Sequence, residues 1–356
     1  METLTPRSTS MPSESLKACV IDGPPPLDPA WLAYEKKRNL MITKKTKSYE
    51  ASLAVERQAA YALECRDRHA RMMAPGARDH YLSQGVIMSQ RKTTSTKDGA
   101  TIPVVVYTRE QDTGKEPDVV ILYLHGGGLW VGEADSEQLS CRRLLSGNHA
   151  VYSIGYRLMP EYSASVCLSD AYDGFDAVRG WVGTGPRLVV VGSSSGGQLA
   201  ALVSHMAPRH ALSGVLLRCP VTSDAFSGSK YVPAHLREYH TSASEAFVTT
   251  IGHFMHRAVP RDGLTRMPLE AGTEELQGLP RTWVQVCTND VLYSDGICYC
   301  IALDCAGVEV QVSVIKGWPH TFWNEAPELE RAYEADMEML EGLRWILGGV
   351  SGEKSV

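Results

Sequence analysis

The chain has 356 residues, 44% of them hydrophobic and 21% charged, enough to bury the core of one large domain with a smaller companion. A net charge of -6 gives no basis for binding nucleic acid, and the basic cluster at 35–47 is broken by apolar residues, as on the solvated face of a helix. Apolar runs such as "VVILYL" at 119–124 are far too short to span a bilayer, and the N-terminus lacks the apolar stretch of a signal peptide.

Residues 1–26 are polar, rich in Pro and Ser, and read as a disordered tail. Residues 27–75 read as a helical segment, because apolar positions recur at three and four and no Gly or Pro lies between Pro29 and Pro75. Beyond them the character changes to short β-branched runs at 102–108, 118–124, 149–156, 187–192, 214–221, 282–288 and 308–315. Helix-length segments separate most of these runs. Near-continuous apolar strands alternating with helices predict an α/β fold, a mostly parallel sheet covered on both faces. Residues 76–222 and 280–350 would form this core, and the polar stretch 223–279 interrupts it as a lid or binding element. The nine cysteines are scattered and odd in number, which suits buried thiols in a reducing compartment better than a disulfide framework. Cys298-x-Cys300 has neither a second pair nor a His at metal spacing, so no metal is expected.

The chemistry concentrates at "VVVGSSSGG", 189–197. Gly192-x-Ser194-x-Gly196 falls between a buried strand and a helix, the context in which G-x-S-x-G forms a nucleophile elbow. A turn that tight strains its central residue and needs small neighbours, and it lifts the Ser194 hydroxyl out over a helix N-terminus. Ser193 and Ser195 sit at the variable positions and are not read as nucleophiles. "LHGGGLWVG", 124–132, follows another strand; its glycines let backbone N–H groups approach a ligand, and no Lys-Ser/Thr follows to make it a phosphate loop. The oxyanion donors expected are the amides of Gly127, Gly128 and Ser195, with His125 and Gly126 structural. An acid and a base must follow in that order after later strands. "NDVLYSDG" offers Asp290 and Asp295, of which Asp290 directly follows the strand, and "GWPHTFW" offers His320. Ser194, Asp290 and His320 are the expected catalytic residues.

Taken together, "HGGGLWVG", "YRLMPE", "GSSSGG", "NDVLYSDG" and "GWPHTFW" resemble the hormone-sensitive-lipase-like family of α/β-hydrolases over about residues 100–345. The resemblance implies the same triad and oxyanion amides, and a cap built from the N-terminal helices at 30–70 and the insertion 223–279. It also implies that Arg157 and Glu161 order the active-site loops. The chain departs from the family pattern at Ser193, Ser195, Val291 and Ser294. Some members pair through their last strand and helix, so a homodimer is one expectation.

The expected activity is that of a serine carboxylic-ester hydrolase, cytoplasmic and without cofactor. Its substrate would be a small ester, short-chain or bulky and apolar, as in the deacylation steps of specialised metabolism. Trp130, Phe322 and Trp323, with the insertion aromatics Tyr231, Tyr239, Phe247 and Phe254, are candidate pocket residues. Acyl transfer, thioester release or cyclisation would use the same serine. A non-catalytic receptor would keep the fold alone, and family members of that kind typically lost the His that stands here as His320.

Overall fold

The computed structural model describes residues 12–40, 53–249 and 260–348. Eight strands form one sheet: β1 Val86–Thr94, β2 Thr101–Arg109, β3 Val119–Leu124, β4 His149–Ile154, β5 Arg187–Ser193, β6 Gly214–Arg218, β7 Thr282–Asn289 and β8 Val310–Pro319. Their order is β1-β2-β4-β3-β5-β6-β7-β8. The pairings β1/β2 and β2/β4 are antiparallel, and those from β4 through β8 are parallel.

The parallel part needs cover on both faces, and alternate side chains supply it. Val120, Leu122 and Leu124 of β3 join a cluster with Phe175, Leu199 and Ile301. Val119, Ile121 and Tyr123 join another with Leu144, Met339 and Leu343. Each such side chain, fully buried, contributes roughly 1.5–3 kcal/mol, so burial rather than strand propensity fixes these runs as the sheet centre. Helices Ala164–Val182, Ser195–Met206 and Tyr293–Cys305 cover the first face; Gln138–Arg143 and Glu330–Ile346 cover the second.

β1 was not legible as a strand. Its residues "VIMSQRKTT" are mostly exposed, because an edge strand buries too little to show an apolar pattern.

Residues 12–26, read as part of a disordered tail, are instead laid against the core. Ser13 N donates to Asp304 (2.8 Å), Thr241 Oγ1 to the Ile21 carbonyl (2.5 Å) and Asn289 Nδ2 to the Pro25 carbonyl (2.7 Å). Tyr293 OH donates to the Cys19 carbonyl. The backbone of the segment is held by the end of β7, the helix Tyr293–Cys305 and the insertion, partners that local sequence cannot reveal.

The described part of 223–279, expected as a cap or lid insertion, holds little regular structure. It consists of single 3-10 turns, such as Ala225–Ser227, Ala234–Leu236 and Glu245–Phe247, and one short helix, Thr273–Leu276. Leu236, Phe247, Met267 and Leu269 anchor it in the core. Phe254 lies outside the described residues. The N-terminal segment does form helices, Pro29–Arg38 and Ala54–Met72. Among the described residues, no helix is long and apolar enough to cross a membrane.

Candidate active site

β5 runs directly into helix Ser195–Met206, and Ser194 at the junction adopts φ 53°, ψ -120°. A non-glycine residue in that region carries strain of about 1–3 kcal/mol. The neighbours show why the turn tolerates only glycine beside it. A Cβ on Gly192 would stand 2.2 Å from the Gly196 carbonyl oxygen, and one on Gly196 would stand 2.0 Å from that of Leu124. The turn is held by Ser194 N donating to the Arg218 carbonyl (2.8 Å).

His320, after β8, bridges the two other expected residues. Ser194 Oγ donates to its Nε2 (2.8 Å), and its Nδ1–H donates to Asp290 Oδ2 (2.6 Å). Asp290 Oδ1 accepts from Leu292 N (2.9 Å), which fixes the carboxylate plane. All three residues are buried. Burial disfavours the charged imidazole, but the adjacent Asp290 carboxylate outweighs it and the His320 pKa is pushed up to about 10. The arrangement can take a proton from the serine hydroxyl and stabilise the resulting imidazolium.

Asp295, the competing acid, is committed elsewhere. Its Oδ2 accepts from Thr222 N (2.6 Å) and Ser223 N (2.7 Å), and its Oδ1 faces Ser223 Oγ and His240 Nε2 (2.8 Å each). Ser294 does similar work, accepting from Thr241 N and Ser242 N at 3.0 Å each. Both residues tie the insertion to helix Tyr293–Cys305.

The glycine loop lies against the elbow. Gly127 has φ 116°, and a Cβ there would stand 2.0 Å from the Val131 carbonyl oxygen. Among the described residues, no protein acceptor takes the amides of Gly127 or Gly128, and Ser195 N, the first helical position, has no intrahelical partner. Ser195 also contributes its hydroxyl, which accepts from Leu129 N (3.1 Å) and so joins loop to elbow. His125 is buried and stacks on Tyr156, with ring centroids 4.3 Å apart. Burial lowers its pKa to about 4, leaving it neutral, and its Nδ1–H donates to the Gly126 carbonyl (2.7 Å).

Other expected residues fall differently. Phe322 and Trp323 do not line an open pocket: both are packed with Trp31 and Trp318, and Trp323 lies 3.8 Å beneath the Arg218 guanidinium. The chain turns into helix Phe322–Glu325 immediately after His320, which drives both rings inward. Trp130 is half-buried, and its carbonyl accepts from Gln58 Nε2 (3.0 Å), which also reaches the Met159 carbonyl (3.1 Å). Arg157 pairs with Asp170 through Nε and Nη2, both at 2.8 Å, whereas Glu161 stands exposed on the turn. Among the described residues, Glu161 makes no hydrogen bond or ion pair through which to order the loops.

Two residues near the site were missed. Glu137, buried before helix Gln138–Arg143, accepts from Gly126 N (2.6 Å) and Tyr123 OH (2.5 Å). Burial raises its pKa despite those bonds and the nearby Arg218. An acid at a helix start looks ordinary in sequence. Cys219 brings its thiol near His320 and Asp290, with donor atoms within 4.8 Å of one another. Those three could in principle hold a metal. However, Nδ1 and Oδ2 at 2.6 Å share a proton and stand closer than the ~3.3 Å that two ligands keep around tetrahedral zinc. A cavity of about 260 Å³, lined by Ser204, Arg209, His210 and Leu279, opens at the other end of the elbow helix, away from Ser194.

Comparison with known proteins agrees with this fold. The model of a family described as having the alpha/beta hydrolase fold matches residues 121–324. Ethyl acetate hydrolase of Pseudomonas putida is 31% identical over 263 residues, covering 70% of this chain and 80% of that one. Carboxylesterase NlhH of Mycobacterium tuberculosis is 29% identical over 265 residues, covering 69% and 79%. The crystal structure of vibralactone cyclase superposes with a TM-score of 0.71 at 19% identity, covering 96% of this chain and 98% of that one, a likeness of fold. The chain belongs to the α/β-hydrolases, in their hormone-sensitive-lipase-like branch, and is a serine ester hydrolase.

Proposed function

We propose that the protein hydrolyses small carboxylic esters through an acyl-enzyme on Ser194. His320 takes the serine proton as the hydroxyl attacks the ester carbonyl, and Asp290 orients the imidazole and stabilises its charge. The amides of Gly127, Gly128 and Ser195 receive the oxyanion, the alcohol leaves with the proton from His320, and a water activated by the same His releases the acid. The observation that carries this reading is His320 bridging Ser194 and Asp290 through its two different nitrogens. The helices Pro29–Arg38 and Ala54–Met72, with the insertion 223–279, are proposed to cover the site; Gln58 already bonds two carbonyls beside the glycine loop.

We infer a short acyl chain on an apolar alcohol. The ethyl ester named for the Pseudomonas putida relative and the enclosed surroundings of Ser194 support that choice. The test is turnover of p-nitrophenyl acetate, butyrate and octanoate by wild type and Ser194→Ala. Acetate or butyrate should be preferred, and Ser194→Ala should abolish turnover. Persistence of hydrolysis in that variant would overturn the reading, and phosphonate labelling of Ser194 without hydrolysis would redirect it to acyl transfer.

A further inference from the structure

Glu137 is buried among groups that belong to three separate pieces of the site. Its Oε1 takes the Gly126 N–H in the loop after β3, and its Oε2 takes the Tyr123 hydroxyl on β3 itself. The Asn324 side chain, on the helix that follows His320, lies nearby and favours its charged form. Arg218 adds its charge, and the carbonyl of that same residue holds Ser194 N.

We propose that Glu137 is a positioning residue for the oxyanion loop, its carboxylate fixing the His125–Gly126 peptide plane from which the plane carrying the Gly127 amide continues. The inference rests on the reading of Ser194 as nucleophile. The geometry runs through one glycine. The Gly126 N–H is held by Glu137, and the Gly126 carbonyl is held by His125 Nδ1–H. That carbonyl shares a rigid plane with the N–H of Gly127, so clamping Gly126 at both ends orients the first oxyanion donor. A Cβ position on Gly126 lies 3.1 Å from Glu137 Oε1 and 3.3 Å from Ser194 Cβ. Carboxylate and nucleophile thus flank the same residue.

A buried carboxylate is costly unless donors satisfy it, and here each oxygen has one. The return is an oxyanion site set before substrate arrives. Donors of this kind act more strongly on the transition state than on the ground-state carbonyl, so loosening the loop should lower kcat and leave KM nearly unchanged.

The experiment measures ester hydrolysis and the rate of Ser194 labelling by a phosphonate in wild type, Glu137→Ala, Glu137→Gln and Tyr123→Phe, with melting curves for each. Glu137→Ala should lower kcat about 10–100-fold with KM within about twofold, and labelling should slow in parallel. Glu137→Gln keeps an acceptor for Gly126 and should recover most of that loss, staying about 3–10-fold below wild type; Tyr123→Phe should lose about 2–5-fold. If Glu137→Ala does not fold, the two near-isosteric variants decide. Unchanged kcat per labelled site in both, or a loss carried by KM, would overturn the proposal. Turnover by Ser194→Ala would instead overturn the esterase reading itself, so the two failures are distinguishable.

Discussion

Among the described residues are two constellations of serine, histidine and aspartate, and they do opposite things. In Ser194–His320–Asp290 the imidazole uses Nε2 toward the serine and Nδ1 toward the acid. In Ser223–His240–Asp295 the same Nε2 faces both the hydroxyl (3.4 Å) and the carboxylate (2.8 Å), while the hydroxyl donates directly to the carboxylate (2.8 Å). A ring with one nitrogen engaged cannot pass a proton between the two. The second group is a clasp between the insertion and the core. Residue identity therefore does not make a nucleophile; a strained turn and a two-ended imidazole do.

The comparison is broken most severely by removing each serine. Ser194→Ala should lower kcat by about 10⁶, and Ser223→Ala should leave kcat within a few-fold while lowering the melting temperature. Steady-state kinetics beside thermal melts would separate the two; a large catalytic loss from Ser223→Ala would mean the second constellation takes part in chemistry.

The acids come next. Asp290→Asn should cost about 10⁴ in kcat, and Asp295→Asn should cost about 1–3 kcal/mol of stability with kcat per folded molecule preserved. Denaturant melts and active-site titration check both halves, and the reverse pattern would exchange their roles.

A pH profile sharpens the contrast further. The proposed mechanism needs neutral His320, whose pKa Asp290 raises above the ordinary value of about 6.5. Activity should fall as pH drops through this raised pKa, so the acid limb of kcat/KM should lie above pH ~6.5. The residual activity of Asp290→Asn should show a limb displaced to lower pH. Asp295→Asn should leave the limb in place.

The smallest effect belongs to Cys219. Its thiol also raises the His320 pKa, less than Asp290 does, so Cys219→Ser should move the acid limb down by a smaller amount. No movement would assign the thiol to packing alone.

The strands of the sheet centre were legible because burial on both faces leaves continuous apolar runs such as "VVILYL" and "RLVVV". Ser194, Asp290 and His320 could be proposed because each follows a strand end, and the structure brings the three together. β1 and the packed segment 12–26 left no such trace, since their residues are polar and their partners lie far away in sequence.

By itself, then, the sequence determined the alternation of buried strands and helices, the glycine-flanked turn at Ser194, and the chain order of the acid and base. Periodicity and steric need are local, and local order records them. Only the tertiary structure decided that Phe322 and Trp323 turn into the core, and that Glu137 reaches Gly126. Those outcomes depend on which side chain finds a partner across the fold, and a buried polar group is placed by its partners rather than by its neighbours in the chain.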